Sequence, residues 1–264
     1  MSDYETILLE RDGRVARISF NRPEKLNSFN GQLRREFYRA AQEVNADPDI
    51  WVVMLTGAGR AFGAGADLSD REEPLPKGGQ GVEDILNAEY KPGVLAIHHA
   101  RKPWIAAINA PCAGISYSYA MACDLVVMAE SSYLYQPFVG IGLVPDGGST
   151  WLLPSLVGAK RAYELMALGE KVSAEKAVDW GLANRVFPDE QFAEDAMAFA
   201  HQLAERSPLG LRYTKEAVTF AATHTLADTI SKEAALQSFC IASSDSKDAV
   251  LAFFEKRKPN WQGK

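Results

Sequence analysis

The stretch WVVMLTGAGRAFGAGADL, residues 51–68, contains the pattern from which the fold of this chain is predicted. Its first part, WVVMLTG, is a short continuous apolar run, which is typical of a strand buried on both faces of a sheet. Its second part is a loop of small residues, in which Gly63 and Gly65 allow the backbone to approach a neighbour or a ligand closely. We therefore expect a buried strand that ends in a tight, ligand-facing loop.

The same order of strand, small-residue loop and helix occurs again further along the chain. A second apolar run, WIAAIN at residues 104–109, precedes the loop APCAGIS and a helix that begins near Ile115. A third buried strand is predicted for DLVVMAE, at residues 124–130. The repetition of this unit favours an α/β core.

The N-terminal segments extend this core. TILLE and RVARISF alternate apolar and polar residues around the turn RDGR, which predicts a pair of strands. Residues 31–45 carry the apolar spacing of a helix. Residues 71–81, REEPLPKGGQG, combine proline, glycine and charge without periodicity, so we expect a mobile surface loop there, followed by a helix from about residue 82 to residue 100.

The sequence becomes mostly helical after Trp151. In VSAEKAVDWG, Ser173 is expected to cap a helix that ends at Gly181. No low-complexity linker separates this part from what precedes it. We therefore expect an α/β core over residues 1–200 and a C-terminal helical region over residues 201–264 that packs against the core.

Composition narrows the class of protein. A net charge of −6 at pH 7 disfavours a nucleic-acid surface, which usually has a basic balance. No apolar run approaches the roughly 20 residues that would span a bilayer, and MSDYETILLE lacks the basic and apolar segments of a secretory signal. The three cysteines, Cys112, Cys123 and Cys240, are widely spaced, which favours free thiols in a reducing compartment. We therefore expect a cytoplasmic protein with neither nucleic acid nor membrane as partner.

The two glycine-containing loops are candidates for binding a developing negative charge. In CAGIS, the predicted helix beginning near Ile115 directs its first N–H groups towards the loop region. Two main-chain N–H groups about 3 Å from one oxygen would form an oxyanion hole. The alternative for either loop alone is an ordinary tight turn.

Five motifs in order connect these loops with a known family. NRPEKLNSFN, LTGAGRAFGAGADL, AAINAPCAGIS, GLVPDGGSTWLLP and SAEKAVDWGL resemble the crotonase (enoyl-CoA hydratase/isomerase) superfamily, and the likeness extends to AFFEKRKPNWQGK at the end. The resemblance implies a spiral of ββα units followed by helices that build a homotrimer, often paired as a homohexamer. It also implies an acyl-CoA thioester as substrate, with no metal and no further cofactor, since coenzyme A is part of the substrate.

The resemblance also implies roles for individual residues. The oxyanion donors would be the N–H groups of Ala64 and Ile115, although the family usually has glycine at the second position. Lys25, Phe253 and Lys256 match positions that contact coenzyme A, the last two commonly from a neighbouring subunit, and a solvated surface residue is the alternative for the lysines. The remaining substrate-binding positions that it implies are Gly65, Ala66, Asp67, Leu68 and Gly114 in the two loops, together with Ser118 and Phe138 further along the chain.

Two departures from the family pattern bear on which reaction of the family this chain would catalyse. Hydratases of the family use two glutamates, whose positions are occupied here by Ser118 and by Phe138 of QPF. A hydroxyl and a phenyl ring cannot supply the acid–base pair that water addition needs. Asp146 of GLVPDGGST remains as a candidate acid–base group. The chain is most similar to the family's isomerases, of the 1,2-epoxyphenylacetyl-CoA and Δ3,Δ2-enoyl-CoA kinds.

Several alternatives stay open at this point. Asp146 could instead cap the helix that includes Trp151, although Ser149 and Thr150 compete for that task. It could also act as a nucleophile in a hydrolase or dehalogenase, or the chain could bind acyl-CoA without catalysis. Tyr117 and Tyr119 are expected to pack in the core, with the acyl pocket as the alternative, and His98 and His99 are expected to be structural.

Overall fold

In the computed structural model, which describes residues 4–69 and 78–264, six strands form one sheet in the order β1-β2-β3-β4-β6-β9. β1 and β2 pair antiparallel, and each later pair in this sheet is parallel. The N-terminal strand pair and the three buried strands are thus confirmed. The strands are β1 Ile7–Asp12, β2 Val15–Phe20, β3 Val52–Gly57, β4 Trp104–Ile108, β5 Cys112–Ala113, β6 Leu125–Ala129, β7 Tyr133–Tyr135, β8 Val172–Ser173 and β9 Arg185–Phe187.

A second, smaller sheet has the order β5-β7-β8. The sequence did not predict β7 or β8, nor β9 of the large sheet, because strands of two or three residues are too short to show a period. β5 forms within the loop APCAGIS and pairs with β7 in parallel. The second glycine-containing loop is therefore held on one side by a sheet.

The described helices are α1 Gly31–Ala46, α2 Gly78–Ile85, α3 Lys91–His98, α4 Ile115–Met121, α5 Ser149–Val157, α6 Ala159–Leu168, α7 Ala174–Asp179, α8 Phe192–Ala204, α9 Pro208–Ala221, α10 Leu226–Ala242 and α11 Ser244–Glu255. α1 confirms the helix predicted for residues 31–45. A π-helical turn, Leu86–Tyr90, joins α2 to α3, so the helix expected from residue 82 to residue 100 is confirmed with one irregular turn.

The prediction of a mobile loop over residues 71–81 was wrong for the C-terminal end of this segment. Residues 78–81 are the first turn of α2, although three of these four residues are glycine, which sequence patterns associate with loops. The part of that expectation on residues 71–77 lies outside the described residues.

The inner strand β3 of the large sheet is buried on both faces. On one face, Val53 and Leu55 of β3 belong to the main core, whereas Val52 and Met54 face a second cluster beneath α8. This alternation is what the continuous apolar run WVVMLTG predicts for a doubly covered strand. The strand that carries the first glycine-containing loop is therefore rigidly placed.

Aromatic rings place α4 in the main core. Tyr119 lies 4.9 Å from Phe29 and 5.0 Å from Phe37, measured between ring centroids. Phe20 of β2 adds a further edge contact to Phe29 at 4.9 Å. Each such pair contributes about 0.5–1.5 kcal/mol beyond the burial of its area. The helix that begins at Ile115 is thus fixed against α1 and the sheet.

The C-terminal helices differ from the core in burial. Ser173 caps α7 by accepting a hydrogen bond from the N–H of Lys176, as predicted. α9 buries no residue fully, although Lys215 ties it to the core through a 2.8 Å ion pair with Asp124. Among the described residues, no helix is long and apolar enough to cross a membrane. The division at residue 200 stays a prediction.

Candidate active site

The two glycine-containing loops lie against each other. The carbonyl oxygen of Gly63 accepts a hydrogen bond from the N–H of Ala113 at 2.8 Å. A Cβ atom built on Gly114 would lie 3.1 Å from the Cα of Gly65, and Gly114 has a φ of +60°. Both the space and the backbone conformation therefore favour glycine at this contact.

The predicted oxyanion donors meet at this contact. A Cβ atom built on Gly65 would lie 3.8 Å from the main-chain nitrogen of Ile115. Within residues 4–69 and 78–264, the main-chain N–H groups of Ala64 and Ile115 donate no hydrogen bond. Ile115 is the first residue of α4, where an N–H group has no partner inside the helix. The structure brings the two donors together, and their use in catalysis stays a prediction.

Ser116 holds the two loops in this arrangement. Its Oγ accepts a hydrogen bond from the N–H of Gly65 at 3.1 Å and donates one to the carbonyl oxygen of Ala113 at 2.7 Å. Sequence reasoning missed this residue. The only signal was its place among the small residues of CAGIS, which does not show what its hydroxyl contacts.

Asp67 of the first loop is paired with a cation of the protein. Its carboxylate forms a 2.9 Å ion pair with Arg22 and accepts hydrogen bonds from the N–H and Oγ of Ser69. The Asp67 side chain is 4% exposed. These contacts hold the pKa of the carboxyl below its ordinary value against the cost of burial. The Asp67 carboxylate is thus bound by the protein itself, and a contact between Asp67 and substrate stays a prediction.

The other first-loop residues are open to solvent. Ala64, Ala66 and Leu68 are exposed, Leu68 to 70%. Their position beside the oxyanion donors fits the substrate contact that was expected of them. That contact remains a prediction.

Asp146 lies in the turn just before α5. The side chain of Asp146 does not cap this helix, since the capping residue is Gly148 and no side-chain cap is formed. Instead, the main-chain carbonyl oxygen of Asp146 accepts hydrogen bonds from the N–H of Ser149 at 3.1 Å and from its Oγ at 2.9 Å. The capping interpretation of this carboxylate is therefore wrong.

The carboxylate of Asp146 is partly buried and incompletely paired. Its Oδ1 is shielded from solvent and has no hydrogen-bond partner among the described residues. Burial raises the pKa of the Asp146 carboxyl to about 6, and a hydrogen bond from its own N–H opposes the rise. Burial, and to a smaller extent the charge of Asp146, also raise the pKa of Tyr90 and Tyr119. A raised pKa and an unpaired oxygen are features of acid–base residues.

The Asp146 turn packs directly on the helix that carries the second donor. A Cβ atom built on Gly147 would lie 2.2 Å from the Cδ1 of Ile115 and 2.8 Å from the Cβ of Ser118. Only a glycine allows so close an approach. The partly buried carboxylate and the donor N–H of Ile115 therefore belong to one packed unit.

The two positions that lack a hydratase glutamate are both buried. Ser118 is 0% exposed and its Oγ contacts the Asp146 carbonyl oxygen at 2.9 Å, so its hydroxyl supports the turn instead of facing an open cavity. The substrate contact expected of Ser118 stays a prediction. Phe138 is also buried, next to the exposed Val139, and its place in an acyl pocket stays a prediction.

The expected coenzyme A contacts are exposed and lie far apart in the sequence. Lys25 ends a short 3-10 helix, Pro23–Lys25, before the first loop. Phe253 lies at the end of α11, 79% exposed and packed edge-on against Phe254. Lys256 follows α11 with a φ of 55°. Their roles also stay predictions.

The core-packing prediction for Tyr117 and Tyr119 is confirmed, since both are buried. Tyr119 donates to the carbonyl oxygen of Tyr90 at 3.3 Å. His98 packs edge-on against Trp151, with 5.5 Å between ring centroids. Among the described residues, no group of three or more His, Cys, Asp or Glu side chains is placed to hold a metal ion.

Comparison with known proteins adds to this geometry. The family model "Enoyl-CoA hydratase/isomerase" matches residues 10–264. The 1,2-epoxyphenylacetyl-CoA isomerase of Escherichia coli K12 is 38% identical over 264 residues, covering 98% of this chain and 99% of that protein. A probable enoyl-CoA hydratase of Rhodobacter capsulatus is 35% identical over 261 residues, covering 99% of each.

Solved structures show the same fold. An enoyl-CoA hydratase from Bacillus anthracis superposes with a TM-score of 0.93 at 30% identity, covering 98% of this chain and 100% of the other. An enoyl-CoA hydratase subunit from Geobacillus kaustophilus gives a TM-score of 0.90 at 34% identity, with 100% of both chains covered. The relatives thus include both isomerases and hydratases by name.

Proposed function

The chain belongs to the enoyl-CoA hydratase/isomerase family, and from that premise we propose that it is an acyl-CoA isomerase of the enoyl-CoA or 1,2-epoxyphenylacetyl-CoA type. Asp146 moves the proton in this proposal, and the N–H groups of Ala64 and Ile115 stabilise the thioester enolate. The observation that carries it is the buried Oδ1 of Asp146, which has no partner in residues 4–69 and 78–264 and lies in a turn packed on Ile115.

The chemistry requires a proton acceptor beside an oxyanion hole. Two N–H groups on the thioester oxygen would stabilise the enolate by about 3 kcal/mol each, which acidifies the carbon next to the carbonyl or its vinylogue. Asp146, with a pKa of about 6, is ionised at neutral pH and is a stronger base than an ordinary aspartate. It would remove a proton from one carbon and return it to another on the same face, with no net change in composition.

Hydration is the less favoured reaction on the same scaffold. It needs a second acid–base group to position water, and the two positions that supply glutamates in hydratases are Ser118 and Phe138. Ser118 is buried and its Oγ contacts main chain and Ser149. A single carboxylate supports proton transfer between two carbons better than it supports water addition.

Self-association as a homotrimer, or a homohexamer made of two trimers, is part of the proposal. The C-terminal helices α10 and α11 expose large apolar side chains, which favours a protein partner because monomers rarely leave such clusters in water. They include Leu226, Ile230, Phe239, Ile241, Leu251, Phe253 and Phe254. A neighbouring copy would cover this surface and could bring Phe253 and Lys256 over a bound coenzyme A.

A cytoplasmic location completes the proposal. Cys112, Cys123 and Cys240 are all free thiols in the structure. Free thiols persist in a reducing compartment.

The test compares wild type with Asp146→Asn on a 3-enoyl-CoA, a 2-enoyl-CoA and 1,2-epoxyphenylacetyl-CoA, with binding of each ester measured in parallel. We expect isomerisation by wild type, and binding with only a small residual rate by Asp146→Asn. Asp49→Asn is the matched control, because Asp49 lies in an exposed ion pair with Arg14. An Asn variant that isomerises as fast as wild type would remove Asp146 from the mechanism.

The other outcomes distinguish the alternatives. Release of free coenzyme A, or of halide from an aryl substrate, that is lost in Asp146→Asn would identify a hydrolase or dehalogenase. Hydration of the 2-enoyl-CoA without isomerisation would identify a hydratase. Tight binding of all three esters with no product would identify a non-catalytic acyl-CoA binder.

A further inference from the structure

A buried cluster of hydroxyl groups lies beneath the turn that carries Asp146. The Oγ atoms of Ser118 and Ser149 are 2.6 Å apart, and each lies 2.9 Å from the main-chain carbonyl oxygen of Asp146. The amide Nε2 of Gln136 donates to the Ser149 Oγ at 3.1 Å. Ser118 and Ser149 are 0% exposed and Gln136 is 2% exposed.

The number of protons determines how this cluster bonds. Each serine hydroxyl has one proton to donate, so two protons serve the three oxygen–oxygen contacts. If both hydroxyls donated to the carbonyl oxygen, the 2.6 Å contact between them would be unbonded and repulsive. One hydroxyl therefore donates to the Asp146 carbonyl oxygen, and the second hydroxyl donates to the oxygen atom of the first. The Ser149 N–H adds a further bond to the same carbonyl.

The cluster connects the main chain of Asp146 to α4. Ser118 lies one helical turn after Ile115, and both residues contact the position of Gly147. Loss of the Ser118 hydroxyl would leave a cavity between α4 and the turn and would remove a bond that links them. The distance between the carboxylate and the second oxyanion donor depends on this link.

We infer that Ser118 is a positioning residue for Asp146: its hydroxyl, together with Ser149, fixes the carboxylate relative to the N–H of Ile115. The inference rests on the proposed function of Asp146. Ser118 contacts the main chain of Asp146 and not its carboxylate, so it acts through placement. An error of about 1 Å in the placement of a catalytic group can cost about 100-fold in rate.

The experiment measures kcat and KM of Ser118→Ala on a 3-enoyl-CoA. We expect kcat to fall by about tenfold or more while KM changes less than twofold, because the thioester-binding loops are untouched. Ser132→Ala is the matched control: Ser132 is as buried, and its Oγ donates to the carbonyl oxygen of Ala129 at 2.7 Å, outside the site. We expect its kcat to stay within twofold of wild type.

A double variant separates this inference from the proposed function. In the Asp146→Asn background, Ser118→Ala should change the residual rate by less than twofold, because the group that it positions is gone. An equal loss of kcat in both backgrounds would overturn the inference, as would a Ser118→Ala enzyme with wild-type kcat beside an inactive Asp146→Asn enzyme. Activity retained in Asp146→Asn alone would instead overturn the proposed function.

Folding is controlled with a second substitution. Ser118→Cys leaves no cavity and keeps a side-chain donor, although a larger and weaker one, so it should show a smaller fall in kcat than Ser118→Ala. If Ser118→Ala does not fold, kcat and KM are measured on Ser118→Cys instead, with the same expectation of a lower kcat and a nearly unchanged KM. A Cys variant with wild-type kcat would then overturn the inference.

Discussion

The guanidinium of Arg22 lies 2.9 Å from the carboxylate of Asp67, and so ties the residue before a 3-10 helix to the loop that carries Ala64. Arg22 also donates to the carbonyl oxygen of Ser28, and the N–H of Asp67 donates to the carbonyl oxygen of Phe29 at 3.0 Å. The loop that carries Ala64 is thus anchored by an ion pair that is mostly shielded from solvent.

Replacing Arg22 tests this support. Arg22→Met should lower the free energy of unfolding by about 3 kcal/mol, because it leaves a mostly buried carboxylate without its cation. We also expect kcat to fall, since the loop of Ala64 loses an anchor. Thermal unfolding and kinetics on a 3-enoyl-CoA measure the two effects. Arg17→Met is the control, because the Arg17–Glu10 pair is more exposed and should contribute less than about 1 kcal/mol. Equal losses in both variants would contradict the prediction.

The pH dependence of the reaction should follow the ionisation of Asp146. Its pKa of about 6 means that the base form is present above that pH and is lost below it. We expect log kcat to rise with a slope of one as pH increases towards 6 and to level off above it. Rates on a 3-enoyl-CoA between pH 4.5 and 8.5, with the ester's binding affinity measured at each pH, check this. A profile that levels off near pH 4 would show that burial does not perturb the working carboxylate.

Asp146 should also make the protein less stable at neutral pH. Its pKa is raised on folding from an ordinary value near 4 to about 6, so the folded state holds the proton more tightly. Its contribution to stability is greatest below pH 4 and is lost as pH rises through 6. Asp146→Asn should therefore be more stable than wild type by about 1–2 kcal/mol at pH 8, and the gap should close near pH 4. Thermal melts at both values measure this. An equal gap at both pH values would contradict it.

Lys102 provides a prediction away from the site. Its Nζ donates to the carbonyl oxygens of Val44, Asp47 and Ile50, each at 2.7 Å, and so closes the C-terminal end of α1. Lys102→Met leaves these three oxygens without their donor and should destabilise the fold by about 2–4 kcal/mol. We expect kcat on a 3-enoyl-CoA to change less than twofold. The exposed Lys160 supplies the control, Lys160→Met, whose melting temperature should match that of wild type.

The sequence predicted those strands and helices whose own residues show a clear apolar periodicity. The apolar run WVVMLTG and the helical spacing of residues 31–45 gave β3 and α1, because burial on two faces or one face leaves a distinct periodicity. β7 and β8 were missed because their pairing joins segments of two or three residues that lie far apart in the sequence. Short strands of this kind are set by tertiary contacts, which a local pattern does not contain.

The candidate site likewise has residues that the sequence indicated and contacts that it did not. Glycine positions and the family motifs indicated the two loops and Asp146. The hydrogen bonds of Ser116 and Ser118, and the pairing of Arg22 with Asp67, depend on how α4 and the first loop pack. Arg22 and Asp67 are 45 positions apart, and a single sequence does not show that two such distant residues pair. An aspartate that contacts a ligand therefore cannot be distinguished, in the sequence, from one that is paired with an arginine. The sequence therefore indicates a candidate site but not the contacts that support it.

The contact between the two glycine-containing loops gives a test of the oxyanion hole itself. Gly114→Ala would place a methyl group 3.1 Å from the Cα of Gly65, at a φ of +60°. We expect the loops to separate and kcat on a 3-enoyl-CoA to fall by about 100-fold, the effect of losing one aligned donor. Gly13→Ala is a matched control, because Gly13 has a φ of +57° but no atom within 4 Å of the added carbon. It carries the same backbone strain, about 1 kcal/mol, and should lower the melting temperature without changing kcat. If both variants keep wild-type kcat, the N–H groups at this contact do not stabilise the transition state, and the enolate must be stabilised elsewhere.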